Sequence, residues 1–169
     1  MAPLEIIRYP DERLKQHSDP VELFDEELQA FLDALEETMR SGPGGVGIAA
    51  PQVGRFQRIA LVDVSSKPKI EHNGFLILIN PEITNYNGFV KGREGCMSVP
   101  DYTGNVMRAE EISVEFYDAQ GDKQHIESSG FEARAIQHEM DHLDGLVFLD
   151  RLVSRRNDLF RRKVYKKKE

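Results

Sequence analysis

The chain has 169 residues, of which 30% are charged, and a formal net charge of −7. This length fits one domain, residues 1–169, that buries about 70% of its unfolded surface. A single cysteine excludes an internal disulfide and is typical of a reducing compartment. No basic region followed by an apolar stretch opens the sequence, and no run is long enough to span a membrane. We therefore expect a cytoplasmic protein without a membrane segment.

The first half of the chain predicts one helix followed by buried strands. Apolar residues recur with a 3.6-residue period over residues 25–41, which predicts an amphipathic helix. The glycine-rich segment 41–45 ends this helix. Apolar runs at 58–64 and 75–79 predict two buried strands.

The second half predicts a hairpin and two further helices. Residues 112–117 alternate between apolar and polar, as in a half-buried strand, and residues 119–122 turn the chain back. Residues 131–142 predict the second clear helix, and residues 150–169 a basic C-terminal helix. These elements predict an α+β fold with a central helix packed among antiparallel β-sheets.

The central helix carries the most informative motif, His138-Glu139-Met140-Asp141-His142. His138 and His142 lie one helical turn apart, so their imidazoles can bind the same metal ion. Glu139 stands beside the first histidine, where a carboxylate can take a proton from a water at the metal. The pattern indicates metal-assisted hydrolysis on a metal-bearing helix.

The histidine pair does not identify the third metal ligand. Catalytic zinc-type sites usually have three protein ligands. No histidine or cysteine follows His142, so a zincin-type endopeptidase would have to use Asp150 or Asp158. The upstream candidate is Cys96, which stands in a Glu-Gly-Cys-Met-Ser sequence. A lone cysteine is most often a small buried residue, but this context beside the histidine pair favours ligation.

A third segment, residues 45–52, contains two glycines and a glutamine. Gly45 and Gly47 flank Val46, so another backbone can approach closely there. Gln52 offers an amide that can donate a hydrogen bond to an oxyanion. The segment lacks the third glycine of a dinucleotide-binding loop.

Together the three segments resemble the peptide deformylase family. That family carries three motifs in this order, and all three are complete here, at residues 45–52, 94–98 and 138–142. The resemblance implies a metallohydrolase that removes the N-formyl group from the formyl-methionine of newly synthesised polypeptides and releases formate. A catalytically silent binding module is the alternative, and the intact motifs argue against it.

The resemblance also implies the metal centre. Its ligands would be Cys96, His138 and His142, and its ion ferrous iron (Fe2+), with zinc, nickel or cobalt as substitutes. A Cys-His-His set also suits zinc by softness and geometry. Glu94 and Arg108 would form an ion pair that supports the Cys96 loop, although two unrelated surface charges are the alternative.

Catalytic and substrate-binding roles follow from the same resemblance. Glu139 would transfer the proton, while the Gln52 amide and the Met97 backbone N–H would stabilise the oxyanion. The residues expected to bind an extended peptide and its methionine side chain are Gly45, Val46, Gly47, Phe131, Arg134 and Ala135. Arg134 departs from the family, in which an apolar residue is usual, and we expect its stem to pack and its head to reach water.

Charge is distributed unevenly along the sequence. Residues 151–169 hold nine basic against two acidic residues, a net +7 that leaves −14 for the rest of the chain. A solvated basic helix is the simplest interpretation. The resemblance adds a second hypothesis, docking of this segment on the ribosome through nucleic-acid phosphates.

Overall fold

A computed structural model describes residues 3–42 and 45–162. It confirms the predicted α+β class. The helices and strands of the described residues are α1 (Glu26–Ser41), β1 (Gly47–Ala49), β2 (Ile59–Val62), β3 (Leu76–Cys96), β4 (Val99–Tyr117), β5 (Lys123–Ser129), α2 (Gly130–Leu143) and β6 (Leu159–Arg161). Short 3₁₀ helices cover Glu12–Lys15, Ala50–Val53 and Phe148–Arg151.

The strands pair antiparallel in the order β1-β2-β3-β4-β5, and β6 adds to β4. Consecutive strands β3 and β4 form a long hairpin over residues 76–117, whose register shifts near its start and again at Gly95 and Cys96. Thr103 of β4 pairs with Gly95 of β3 and with Phe160 of β6. This pairing brings the C-terminal strand close to the end of β3.

Strand β2 is buried on both faces because a helix covers each side. Ile59 and Leu61 pack in one cluster with the apolar face of α1. Ala60 and Val62 pack in a second cluster with Ala133 and Ile136 of α2. Alternate residues of a strand point to opposite faces, so a strand between two helices is apolar throughout. The central helix α2 is thereby held against the middle of the molecule.

The helices predicted at residues 25–41 and 131–142 are confirmed, and so is the turn at residues 119–122. Asp25 caps α1 by accepting a hydrogen bond from Leu28 N at 3.0 Å. The predicted strands at 75–79 and 112–117 are only the ends of β3 and β4, and most of the hairpin between them was missed. Its middle, near residues 84–91, is exposed on both faces and mixes polar with apolar residues, so it lacks the alternation of a half-buried strand.

The predicted basic C-terminal helix is wrong for residues 150–162. In this segment a 3₁₀ helix ends at Arg151, turns follow, and β6 pairs with β4. The remainder of the predicted helix, residues 163–169, lies outside the described residues. Neither described α-helix combines the length and the apolar character needed to cross a membrane.

Candidate metal centre and substrate cleft

His138 and His142 lie on the inner face of α2 and are buried. Their ring centroids are 5.2 Å apart. Cys96, the last residue of β3, is also buried, and its Sγ lies 3.4 Å from His142 Nε2. The ligand atoms of the three residues all lie within 4.8 Å of one another. One metal ion bound by one sulfur and two imidazole nitrogens fits such a spacing.

Gln52 stands directly beside this cluster. Its Oε1 accepts a hydrogen bond from Ala49 N at 2.9 Å, which fixes the amide. Its Nε2 then donates to Ser98 Oγ at 3.0 Å and lies 3.6 Å from Cys96 Sγ. The structure therefore brings the amide N–H group to the cysteine ligand, next to the turn that contains Met97.

Glu139 is a buried carboxyl beside the three candidate ligands. Its Oε1 lies 4.0 Å from His142 Nε2 and has no hydrogen-bond partner among the described residues. A Cβ at Gly47 would stand only 2.6 Å from Glu139 Oε2, so a glycine is required where β1 passes α2. Burial raises the pKa of the Glu139 carboxyl to about 7. A carboxyl with such a pKa can exchange a proton near neutral pH.

Glu94 connects the hairpin to the helix. It accepts hydrogen bonds from His138 Nδ1 at 2.8 Å, from Arg108 through two nitrogens at 2.9 Å each, and from Arg134 Nη1 at 2.8 Å. The predicted Glu94–Arg108 pair is confirmed. Burial alone would raise the pKa of Glu94, but His138 and Arg108 hold it well below its usual value. Because a carboxylate only accepts, Nδ1 of His138 donates and Nε2 is left for a metal.

The acidic alternatives for a third ligand lie elsewhere. Asp150 accepts a hydrogen bond from Val147 N at 2.9 Å, and Asp158 accepts one from Asn105 Nδ2 at 3.0 Å. Among the described residues, neither joins the cluster of metal-ligating groups. The endopeptidase alternative that depended on Asp150 or Asp158 is therefore wrong.

A cleft of about 580 Å³ opens onto Cys96, His138 and Glu139. All the residues predicted to bind substrate line it: Gly45, Val46, Gly47, Phe131, Arg134 and Ala135. Gln52 and Met97 line it as well. The cleft therefore unites residues from the first strand, the hairpin turn and α2.

The predicted orientation of Arg134 is wrong, because its head does not reach out into water. Its guanidinium donates to Glu94 and to the carbonyl oxygens of Val106 at 3.0 Å and Val90 at 2.6 Å. The hairpin offers these acceptors close to α2, so the charged head is satisfied within the fold. Arg134 forms a fixed polar wall of the cleft.

Sequence reasoning missed several residues of the cleft. Leu4, Ile6 and Arg8 enter it from the N-terminal segment, while Arg93 and Arg162 enter it from β3 and from the residue after β6. No motif or periodicity marks these positions, because they meet only through long-range pairing of the chain.

Residues 3–158 match the family model described as polypeptide deformylase. The chain belongs to this family. A peptide deformylase of Thermodesulfovibrio yellowstonii is 42% identical over 99% of this chain and 100% of that protein. A second, of Syntrophobacter fumaroxidans, is 43% identical over 99% of this chain and 96% of its own.

Solved deformylase structures agree with the fold. The enzyme of Legionella pneumophila superposes with a TM-score of 0.83 at 38% identity, covering 89% of this chain and 86% of that one. The enzyme of Thermotoga maritima gives a TM-score of 0.83 at 35% identity, covering 91% of this chain and 100% of its own.

Deformylases are metal-dependent, and this chain has a group of residues that can hold a metal ion. The donors are a thiol and two imidazoles, a set suited to a divalent transition metal. Glu94 orients the first imidazole, as a carboxylate commonly does for a ligating histidine. The buried Glu139 Oε1, without a partner in the described residues, lies 4.0 Å from Nε2 of the second imidazole.

Proposed function

We propose that this chain hydrolyses the N-formyl group of N-terminal formyl-methionine, with Cys96, His138 and His142 as the ligands of one metal ion. The observation that carries the proposal is the convergence of these three ligand atoms within 4.8 Å, at a cleft that Glu139 also lines. The products are formate and a polypeptide with a free N-terminal amine.

Ferrous iron is our first choice for the ion, followed by zinc, nickel or cobalt. A Cys-His-His set does not select among them by donor chemistry alone, and the family resemblance favours iron. When bound, the ion supplies Lewis-acid chemistry that polarises the formyl carbonyl and makes water more acidic.

Glu139 is the proposed proton-transfer group. It accepts a proton from the attacking water and returns it to the departing amine. Its unpartnered Oε1 and its burial support this role, because nothing in the described residues competes for that oxygen. General acid–base catalysis of this kind contributes about 10²–10⁴ to the rate.

The proposed oxyanion donors are the Gln52 amide and the backbone N–H of Met97. Gln52 is supported by its anchored amide beside Cys96. Met97 is supported by its place in the turn directly after that cysteine. A donor of this type is typically worth about 10²–10³ in rate.

We propose that the peptide binds extended along residues 45–47. Strand β1 lies at the end of the strand order, so its outer edge can pair with an added strand. The methionine side chain would then enter between Val46, Phe131 and Ala135, with Arg134 as the polar wall. Backbone pairing would supply binding energy that does not depend on the side chains that follow.

The direct test is formate release from an amidated formyl-Met-Ala-Ala peptide by protein loaded anaerobically with ferrous iron. Glu139→Gln should keep the metal and lose about 10²–10⁴ in kcat/KM. Metal content measured on the same samples separates loss of chemistry from loss of the ion. Absence of release by metal-replete wild type would contradict the proposed function.

We further propose that the chain acts in the cytoplasm as one domain, residues 1–169, and that its basic C-terminal segment contacts the ribosome. The excess of nine basic over two acidic residues at 151–169 supports this contact. Deleting residues 163–169 leaves β6 in place and should weaken co-sedimentation with ribosomes at low salt. Unchanged co-sedimentation would refute the contact.

A further inference from the structure

The mouth of the cleft carries arginines that the proposed reaction does not use. Arg8, Arg93 and Arg162 all line it, and within the described residues none of them forms an ion pair. The acidic residues of the same lining have other partners or duties. Glu94 is bound by Arg108 and Arg134, and Glu139 is the proton-transfer group. Among the described lining residues, these positive charges therefore have no acidic partner, in a chain of net charge −7.

Strand β6 brings Arg162 to this position. The backbone N–H of Arg162 donates to Asp101 O at 2.8 Å, directly after the pairing of β6 with residues 102–104. Its guanidinium lies over Gly95, where an added Cβ would overlap it. Its Nε is buried without a hydrogen-bond partner among the described residues. A buried donor that is left without a partner is costly.

The same strand also positions Arg93. The Arg93 Cζ lies 3.8 Å from the centroid of the Phe160 ring. A cation–π contact orients the guanidinium without neutralising its charge. Residues 160 and 162 are two apart, so their side chains leave the extended chain on the same side. One short strand thus places two cations beside the residues that precede the cysteine ligand.

We propose that Arg162 and Arg93 select formylated substrates that carry aspartate or glutamate shortly after the formyl-methionine. This inference rests on the proposed function. Arg162 contacts Gly95, the neighbour of Cys96, and an extended peptide advances about 3.3 Å per residue. The guanidinium is therefore within reach of the first residues after the formyl-methionine.

A carboxylate at the cleft mouth gains charge-assisted hydrogen bonds from the guanidinium groups of Arg162 and Arg93. A lysine at the same place meets charges of its own sign. The arginines therefore favour acidic over basic substrates through both attraction and repulsion.

The test compares kcat/KM for formate release from three amidated peptides: formyl-Met-Asp-Asp, formyl-Met-Ala-Ala and formyl-Met-Lys-Lys. At low salt, wild type should favour the aspartate over the lysine peptide about tenfold. Arg162→Gln should lower that ratio about fivefold, and Arg162→Lys should retain more of it because the charge remains. Raising the salt to about 0.5 M should reduce the wild-type ratio.

Arg161→Gln is the matched control, because Arg161 is the neighbouring residue, is exposed and is not part of the cleft lining. It should leave the ratio unchanged. Equal values for the aspartate and lysine peptides in wild type would overturn the proposal, even if Arg162→Gln weakened binding to ribosomes. An equal loss of the aspartate-to-lysine ratio in Arg162→Gln and Arg161→Gln would overturn it too. Absence of release from the alanine peptide would instead mark failure of the proposed function itself.

Discussion

Helix α2 and the β3–β4 hairpin bring ligands to the candidate metal centre by opposite routes. The helix aligns His138 and His142 through its own periodicity, four residues and one turn apart. The hairpin delivers Cys96 from a position 46 residues before His142. One contribution depends on local geometry, and the other depends on the register of strands paired over a long distance.

The two regions also differ in burial. Most of α2 is buried, including polar residues such as Gln137 and Glu132. The middle of the hairpin exposes large side chains, with Tyr86 at 55% and Phe89 at 66%, whereas its turn is packed into the centre. The candidate metal centre therefore lies where the packed helix meets the buried turn of the hairpin, and Glu94 connects the two.

The largest expected effect comes from removing a ligand from either region. Cys96→Ala and His138→Ala should each reduce the bound metal from about one ion per chain to almost none. Activity should fall by about 10³-fold or more, since the Lewis acidity of the ion is worth several kcal/mol. Metal analysis and formate release measure both effects. His125→Ala, at an exposed histidine of β5, is the control. Full metal retention by Cys96→Ala would show that the helix alone suffices.

A second comparison concerns stability. Ile136 of α2 is fully buried, so Ile136→Ala should lower the free energy of unfolding by about 2–5 kcal/mol. Phe89→Ala, in the exposed part of the hairpin, should change it by no more than about 0.5 kcal/mol. Urea unfolding of both variants tests the difference. A comparable loss for Phe89→Ala would mean that the exposed hairpin face is covered in solution.

The smallest expected effect concerns Glu94, the residue that connects the hairpin to the helix. Glu94→Gln should weaken metal affinity about 10–100-fold, because His138 loses the carboxylate that orients it. Competition with a chelator measures the change. Glu82→Gln is the control, since Glu82 lies exposed on the same strand. Equal affinities of Glu94→Gln and wild type would show that the helix orients its histidines without help from the hairpin.

The difference between the regions also explains what could be predicted from the sequence. The two helices were predictable because their signals repeat every three to four residues within one segment. The residues expected to form the centre were found through three short motifs. The middle of the hairpin could not be predicted, because its pairing partners are distant in the sequence and neither face has a continuous apolar pattern. Strands β1 and β6 have three residues each, which is too short for any period.

For Arg134 and Arg162, the sequence likewise could not predict the direction of the side chain. The direction of Arg134 depends on carbonyl groups of Val90 and Val106, which reach α2 only through the hairpin. The position of Arg162 depends on the pairing of β6 with β4. Composition indicated a basic segment there, but it did not indicate which cation would turn toward the cleft.

Cys96 is the only cysteine in the chain and is buried beside His142. A thiol reagent therefore has one target, which it reaches through the cleft, and a ligand bound in the cleft should slow the reaction. The same fact constrains labelling with dyes or spin probes. The usual first step, removal of native cysteines, would here remove the residue on which metal binding is proposed to depend.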